Sequence, residues 1–375
     1  MSYYILPKNN NIINVNPHDS NVDECEPYVS FSLLNYYNEN KTQIINMFKD
    51  EIDISFNNYE DIFEEITKIV NPYEYIFSKV PGSKFSVSKL KPNTNLFYDF
   101  LEIASTLNIF DLFKYKEIKS LHITPNHNDS IECFEMLREN FTDEIICYDK
   151  IDDTILKSLK DIKFNFLFFE TNNKQDINSY ISSFIEIIMV ILRHQVSEGV
   201  TIIKISHIFY KPIVDLIYLL TSLFDKIYII KPNTNNIISF DKYLVCKSFL
   251  IDDSKITQFK MNYYRLLIFL KKLENKNIIS IIDYDTPYYL NTKIEDINVI
   301  MGQQQLDALD KIISILKTKN RDEKIETLKK NNIQKSVNWC EKYKIPYNKF
   351  AEKTNIFLPI IKEINEINEI NEESK

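Results

Sequence analysis

The residues with chemical potential are acids and lysines that close short apolar runs. Asp149 follows DEIICY (Asp143–Tyr148), and open α/β sheets place an acid at such a strand end to hold a nucleoside ribose. Lys211, Lys231, Lys242 and Lys247 fall in segments expected to gather at the carboxyl end of a sheet, where they would form a phosphate-tracking, RNA-binding rim. His122 and His127 bracket one loop, but a metal site needs further ligands at suitable spacing, and none is evident. The five cysteines (Cys25, Cys133, Cys147, Cys246, Cys340) are scattered and form no CxxC pair. That argues against a zinc ribbon or a disulfide framework and for a reducing intracellular compartment. Trp339, with Tyr343 and Tyr347, offers rings that stack on a base or cap. An amphipathic helix more often buries its Trp, so Trp339 reads as core, and His194 and His207 read as structural.

Composition removes whole classes of function. The 375 residues contain only 3 glycines, Gly82, Gly199 and Gly302, each isolated. No glycine-rich phosphate cradle and no GxSxG nucleophile elbow is present. Hydrophobic residues at 44% and charged residues at 26% fit a globular chain with a sizeable core. A formal net charge of −8 excludes a generally basic nucleic-acid coat but leaves room for a local basic groove. The opening MSYYILPKNNNIINVNP lacks a basic stretch followed by an apolar run, so no signal peptide is expected. The most apolar run, Ile187–Leu192, is too short to span a bilayer, and no membrane partner is expected.

These residues need elements to position them. Residues 1–25 are polar and Asn-rich and read as extended or poorly ordered. Apolar residues recur at helical spacing from Pro27 to Val70, with Pro72 and Pro81-Gly82 as punctuation, and Phe97–Leu107 again reads as helix. From Ile118 the period changes. Strands are expected at 118–123, 143–148, 164–169, 200–205, 226–230 and 242–248. Helices are expected between them at 130–141, 153–159, 177–196 and 212–224. This alternation predicts an α/β chain with a mostly parallel sheet. The last two strands, with no helix between them, predict an antiparallel hairpin at the sheet edge. Helices return at 258–273, 306–317 and 322–339. The tail IKEINEINEINEESK, with five Glu from Glu363 onward, reads as a solvated low-complexity segment.

The segment Gly199–Phe249 adds a resemblance. It has a Gly before a strand ending in Lys, a helix, a strand ending in Lys-Pro, a Ser-x-acid-x-Tyr and an apolar strand with Cys. Together these resemble the second half of FtsJ-like (RrmJ-type) ribose 2′-O-methyltransferases, including members from large cytoplasmic DNA viruses. The likeness covers about residues 72–250. It implies a Rossmann-like sheet that binds S-adenosylmethionine (SAM) at the carboxyl ends of its strands. It also implies a Lys-Asp-Lys-Glu tetrad whose central lysine lowers the pKa of the target hydroxyl and stabilises the alkoxide. Carried over, Asp99 in TNLFYDFLEI stands where the first lysine belongs, Glu170 where the Asp does, Lys204 matches the central lysine, and Asp241 replaces the final Glu. The cofactor loop is matched by HITPNHND, where Pro125 is kept while Asn126 and His127 replace flanking glycines. Asp149 would be the vestige of the ribose acid. A carboxylate displaced by about 1 Å costs about 10²-fold in rate, and Asp99 opposes the developing alkoxide outright.

The resulting expectation is a Rossmann-like SAM-methyltransferase sheet with helical N- and C-terminal extensions. Its divisions would be 1–71 helical, 72–252 methyltransferase-like, 253–360 helical and 361–375 tail. The expected role is a degenerate, catalytically inactive relative that binds no cofactor and serves as an RNA- or cap-binding, non-catalytic subunit in viral mRNA capping or translation. It would have a protein partner and, if viral, sit in the host cytoplasm. The alternatives are an active SAM-dependent 2′-O-methyltransferase and a scaffold that binds neither ligand.

Overall fold

A computed structural model describes residues 2–21, 26–51, 63, 67–77, 86–160, 162–172, 176–250, 253–273, 276–318 and 321–348. The elements in chain order are β1 (Ser2–Ile5), β2 (His18–Ser20), α1 (Phe31–Glu51), α2 (Leu96–Thr106), β3 (Lys119–Ile123), α3 (His127–Leu137), β4 (Glu144–Tyr148), α4 (Asp153–Leu159), β5 (Phe164–Glu170) and α5 (Ile177–His194). They continue with β6 (Gln195–Ile205), α6 (Lys211–Leu223), β7 (Phe224–Lys231), β8 (Lys242–Phe249), α7 (Asp253–Lys272), β9 (Asn277–Ser280), α8 (Tyr288–Leu316) and α9 (Arg321–Lys342).

Seven strands form one sheet in the order β1-β7-β8-β6-β5-β3-β4. The four strands β4, β3, β5 and β6 run parallel, and β8, β7 and β1 each pair antiparallel with the preceding neighbour. After β3 the chain first adds β4 on one side and then β5 on the other, so the order reverses between β3 and β5. Open α/β sheets bind ligands outside the carboxyl ends of the strands at such a reversal.

The central strands are covered on both faces, which explains their near-continuous apolar runs. In β5, Phe166, Leu167, Phe168 and Phe169 are all 0% exposed. Their alternation divides the core. Leu167 and Phe169 join the cluster built with α5 and α6. Phe166 stacks on Phe100 of α2 at 5.8 Å between ring centroids, and Phe168 sits 5.1 Å from the same ring. By the same parity Glu170 and Lys204 point to the α2 side. The side chain of Asp176 accepts the Ser179 N–H and caps α5. Pro212 opens α6, where its missing N–H costs nothing.

Three findings refine the expectation. Of the two readings of the N-terminal segment, the described residues 2–21 take the extended one: β1 zips onto β7, and β2 pairs with β9. Ile13 and Val15 are buried, and the Leu6 N–H donates to the Ile227 carbonyl. Hydrogen bonding, which polar composition does not reveal, orders this stretch. The β7–β8 pair is antiparallel as expected, but it does not form the edge, because β8 lies inside the sheet and β1 takes the rim. The strand β9 has only two apolar residues and was hidden among helical patterns.

The chain divides into two compact units, one of residues 1–54 and 92–313 and one of 55–91 and 314–375. The first holds the seven-stranded sheet. In the second, Ser88 and Tyr347 form an antiparallel bridge, and the Asn332 side chain in α9 donates to the carbonyls of Ile69 and Asn71. Trp339 is buried there beside Tyr343, so it is core and its face is not open for stacking. Cys25, Pro81-Gly82 and the acidic tail lie outside the described residues.

Candidate functional site at the carboxyl ends of β3, β5 and β6

Parallel pairing sets Glu170 opposite Lys204 at the ends of β5 and β6. Lys204 Nζ donates to Glu170 Oε1 at 2.8 Å, and Asp241 Oδ2 stands 4.0 Å from the same nitrogen. The other Glu170 oxygen accepts the Thr124 hydroxyl at 2.8 Å, which ties the pair to the loop after β3. Lys204 and Glu170 are largely buried, with side-chain exposures of 19% and 16%. Burial pulls the Lys204 ammonium down, but Glu170, Asp241 and Asp99 outweigh it and hold the group above its ordinary range. Lys204 is therefore a fixed cation matched by neighbouring anions.

Asp99 enters this centre from α2. It is buried, and its carboxylate accepts from Thr234 Oγ1, Asn235 Nδ2 at 3.0 Å and Tyr243 Oη at 2.9 Å. Burial raises its pKa, with Thr234, Asn235, Lys204 and Tyr243 opposing. One helical turn on, Glu102 accepts the Asn233 N–H at 2.9 Å and the Asn233 amide at 2.8 Å. The two acids thus clamp the 233–235 turn between β7 and β8. All four tetrad-matched positions, Asp99, Glu170, Lys204 and Asp241, belong to one electrostatic cluster.

The lysines expected to track phosphate do not form a rim. Lys242 is 3% exposed, and its amine donates to the carbonyls of Ser206 and Phe240. Burial, with Lys231 adding, lowers its pKa to about 7. Lys231 donates to the Ser239 carbonyl, and burial lowers it to about 8. Lys211 is bound by Asp215 at 3.2 Å, with Asp285 at 3.7 Å. Lys247 sits at the opposite end of the sheet, paired with Val200, because β8 runs antiparallel. Backbone carbonyls and acids engage these lysines, and among the described residues they form no basic groove here.

A cavity of about 480 Å³ opens at the strand-order reversal. Pro125 and Asp149 line it at the ends of β3 and β4, Glu170 and Thr171 at the end of β5, and Ser183 and Glu186 from α5. The volume suits a nucleoside-sized ligand, since pockets for such ligands span about 300–1,000 Å³. Asp149 is 75% exposed and faces His127 Nδ1 at 3.1 Å. Asn126 precedes α3, and its N–H donates to Thr124 Oγ1. Three acids and one lysine (Asp149, Glu170, Glu186 and Lys150) line the cavity. That charge balance accepts ribose hydroxyls and a cationic sulfonium and disfavours phosphate. The residues therefore fit the ribose and sulfonium of SAM; Asp149 would hold the ribose, and apolar Ile123, Ile151 and Ile187 line the walls. SAM would supply an electrophilic methyl group.

His122 is fully buried between Phe134 and Phe168, with Nδ1 2.9 Å from Ser130 Oγ, and burial lowers its pKa to about 3. It is a core residue. Among the described residues no group of three or more His, Cys, Asp or Glu could hold a metal. No helix among them is long and apolar enough to cross a membrane. Thr124, Thr234, Asn235 and Tyr243 were not singled out from sequence. Tyr243 had a signal, as the Tyr of the Ser-x-acid-x-Tyr run.

The sheet order and the position of the cavity give the chain a Rossmann-like α/β fold. No protein-family model and no curated protein matches it. Among solved structures it is similar to phospholethanolamine N-methyltransferase 2 of Haemonchus contortus, in complex with phosphomonomethylethanolamine and S-adenosylhomocysteine. That match has 16% identity and a TM-score of 0.25, and covers 42% of this chain and 41% of that one. A probable spermidine synthase from Corynebacterium glutamicum matches at 9% identity and a TM-score of 0.28, over 57% of this chain and 83% of that one. Human methyltransferase-like protein 13 in complex with SAH matches at 12% identity and a TM-score of 0.21, over 61% and 96%.

Proposed function

We propose that this chain is a methyltransferase-fold protein that binds a SAM-like nucleoside but does not transfer its methyl group to RNA. It would act as a non-catalytic, RNA-binding subunit of an mRNA-capping or translation assembly. One observation carries the reading: Glu170 both lines the nucleoside-sized cavity and holds Lys204 at 2.8 Å. A methyl donor in the cavity would meet a lysine whose charge Glu170 and Asp241 already match. The position matched to a second cation holds Asp99 instead. An alkoxide forming there would face surplus negative charge, the reverse of what stabilises it. The likeness of Gly199–Phe249 to FtsJ-like enzymes supports the RNA side of the role and its viral setting.

The test is methyl transfer from labelled SAM to capped RNA. No Lys204-dependent incorporation above background is expected. Incorporation by the wild type that disappears in Lys204→Ala would overturn the loss of activity.

A further inference from the structure

A second cavity, also about 480 Å³, lies at the amino ends of β5 and β6, at the other end of the sheet from the nucleoside-sized cavity. It sits between the last turn of α5 and helix α7. Its polar walls are Lys163, Arg193, Lys260, Tyr263 and Tyr264, and among the described residues no acid lines it. The cations are organised. Lys163 Nζ donates to the Arg193 carbonyl at 2.6 Å, and the Arg193 guanidinium lies 5.8 Å from the Tyr263 ring centre. Tyr264 meets Tyr263 edge to face at 5.5 Å and is 58% exposed. Helix α7 carries five cations (Lys255, Lys260, Arg265, Lys271, Lys272) against one acid, Asp253, in a chain of net charge −8. Helix capping explains Arg193 and Lys163, whose charges suit a helix C-terminus. It does not explain Lys260 or an exposed Tyr264.

We propose that this cleft is the contact site for single-stranded RNA, with Lys163, Arg193 and Lys260 on phosphates and Tyr264 stacking on a base. Basic grooves interleaved with aromatic rings bind single strands in this way. An anionic membrane would also meet a basic helix, but a flat bilayer does not fill a concave site. The inference rests on the RNA-binding part of the function proposed above and gives it a location distinct from the buried lysines at the carboxyl end.

The experiment is fluorescence anisotropy of the full chain with a labelled oligouridine of about ten nucleotides over a salt series. The wild type should bind with a negative salt slope. The Lys163→Ala/Lys260→Ala double variant should lose about tenfold or more in affinity and flatten the slope by about 1.4. Tyr264→Ala should lose about tenfold with the slope unchanged. Lys211→Ala should bind like the wild type. Circular dichroism should show wild-type folding for all of them. Binding that these variants leave intact would overturn the cleft while keeping an RNA-binding role. No binding by the wild type would overturn both, and the nucleoside cavity would stand. Capture on phosphatidylserine vesicles without RNA binding, lost in the same variants, would assign the patch to a membrane surface and also overturn the proposal.

Discussion

Glu170 and Lys204 are register partners on adjacent parallel strands, and their side chains meet at 2.8 Å. The pairing fixes both backbones, so the contact depends on side-chain length alone. Glutamate reaches one methylene further than aspartate, far enough to take the ammonium on one oxygen and the Thr124 hydroxyl on the other. A shorter acid here would leave more of the lysine's charge for a substrate.

This pair should be strongly coupled in stability. Lys204→Ala leaves Glu170 buried without its cation and is expected to cost about 3 kcal/mol, the low end for breaking a buried pair. Pairing Lys204→Met with Glu170→Gln should recover much of that loss. Urea unfolding of Lys204→Met, Glu170→Gln and the double variant measures it. Additive losses would mean that the two side chains do not act together.

Asp99 should resist conversion back to the cation that the resemblance implies. Its carboxylate takes only donated hydrogens, from Thr234, Asn235 and Tyr243. Asp99→Lys would set an ammonium against those donors in a fully buried place. It should destabilise the fold by about 3 kcal/mol or more and restore no methyl transfer. Tyr243→Phe removes one of the donors and should cost about 1–2 kcal/mol. Thermal unfolding with the transfer assay checks both; a stable, active Asp99→Lys variant would contradict the assignment.

Lys242 predicts a pH dependence. Burial depresses its folded pKa to about 7, far below that of an exposed lysine. Between that value and the ordinary lysine pKa the unfolded chain binds the extra proton, so stability rises with pH across the window. Lys231, depressed to about 8, acts in the same direction. Unfolding curves from pH 7 to pH 10 should therefore show a smaller rise in Lys242→Met than in the wild type. Equal slopes would mean that Lys242 is charged in the fold.

The legible parts of the fold were those with strong periodicity. The FNFLFF run is a doubly covered strand, and Asp153–Leu159 and Ile177–His194 are helices where spacing placed them. The short β1, β2 and β9 were not legible, because their order comes from partners distant in sequence. The meeting of Glu170, Lys204 and Asp241 was accessible only through the resemblance; composition alone shows three strand-end charges. The fate of the lysines was hidden for another reason. A lysine's charge is visible in sequence, but the carbonyls that bind Lys231 and Lys242 are backbone groups whose positions depend on the turn between β7 and β8.

Asp149 should contribute to ligand affinity and little to stability. It is exposed and faces the cavity at the end of β4. Asp149→Ala should weaken nucleoside binding about tenfold through the lost ribose hydrogen bonds and leave the unfolding free energy within about 0.5 kcal/mol of wild type. With three acids to one lysine on the walls, ATP should bind more weakly than adenosine. Competition titrations distinguish these cases.

The most direct test of the account is a calorimetric titration of the purified chain with SAM. Binding in the micromolar range, weakened in Asp149→Ala, is the predicted result. No detectable heat at millimolar SAM would contradict it, because the cavity at the strand-order reversal would then not be a nucleoside site.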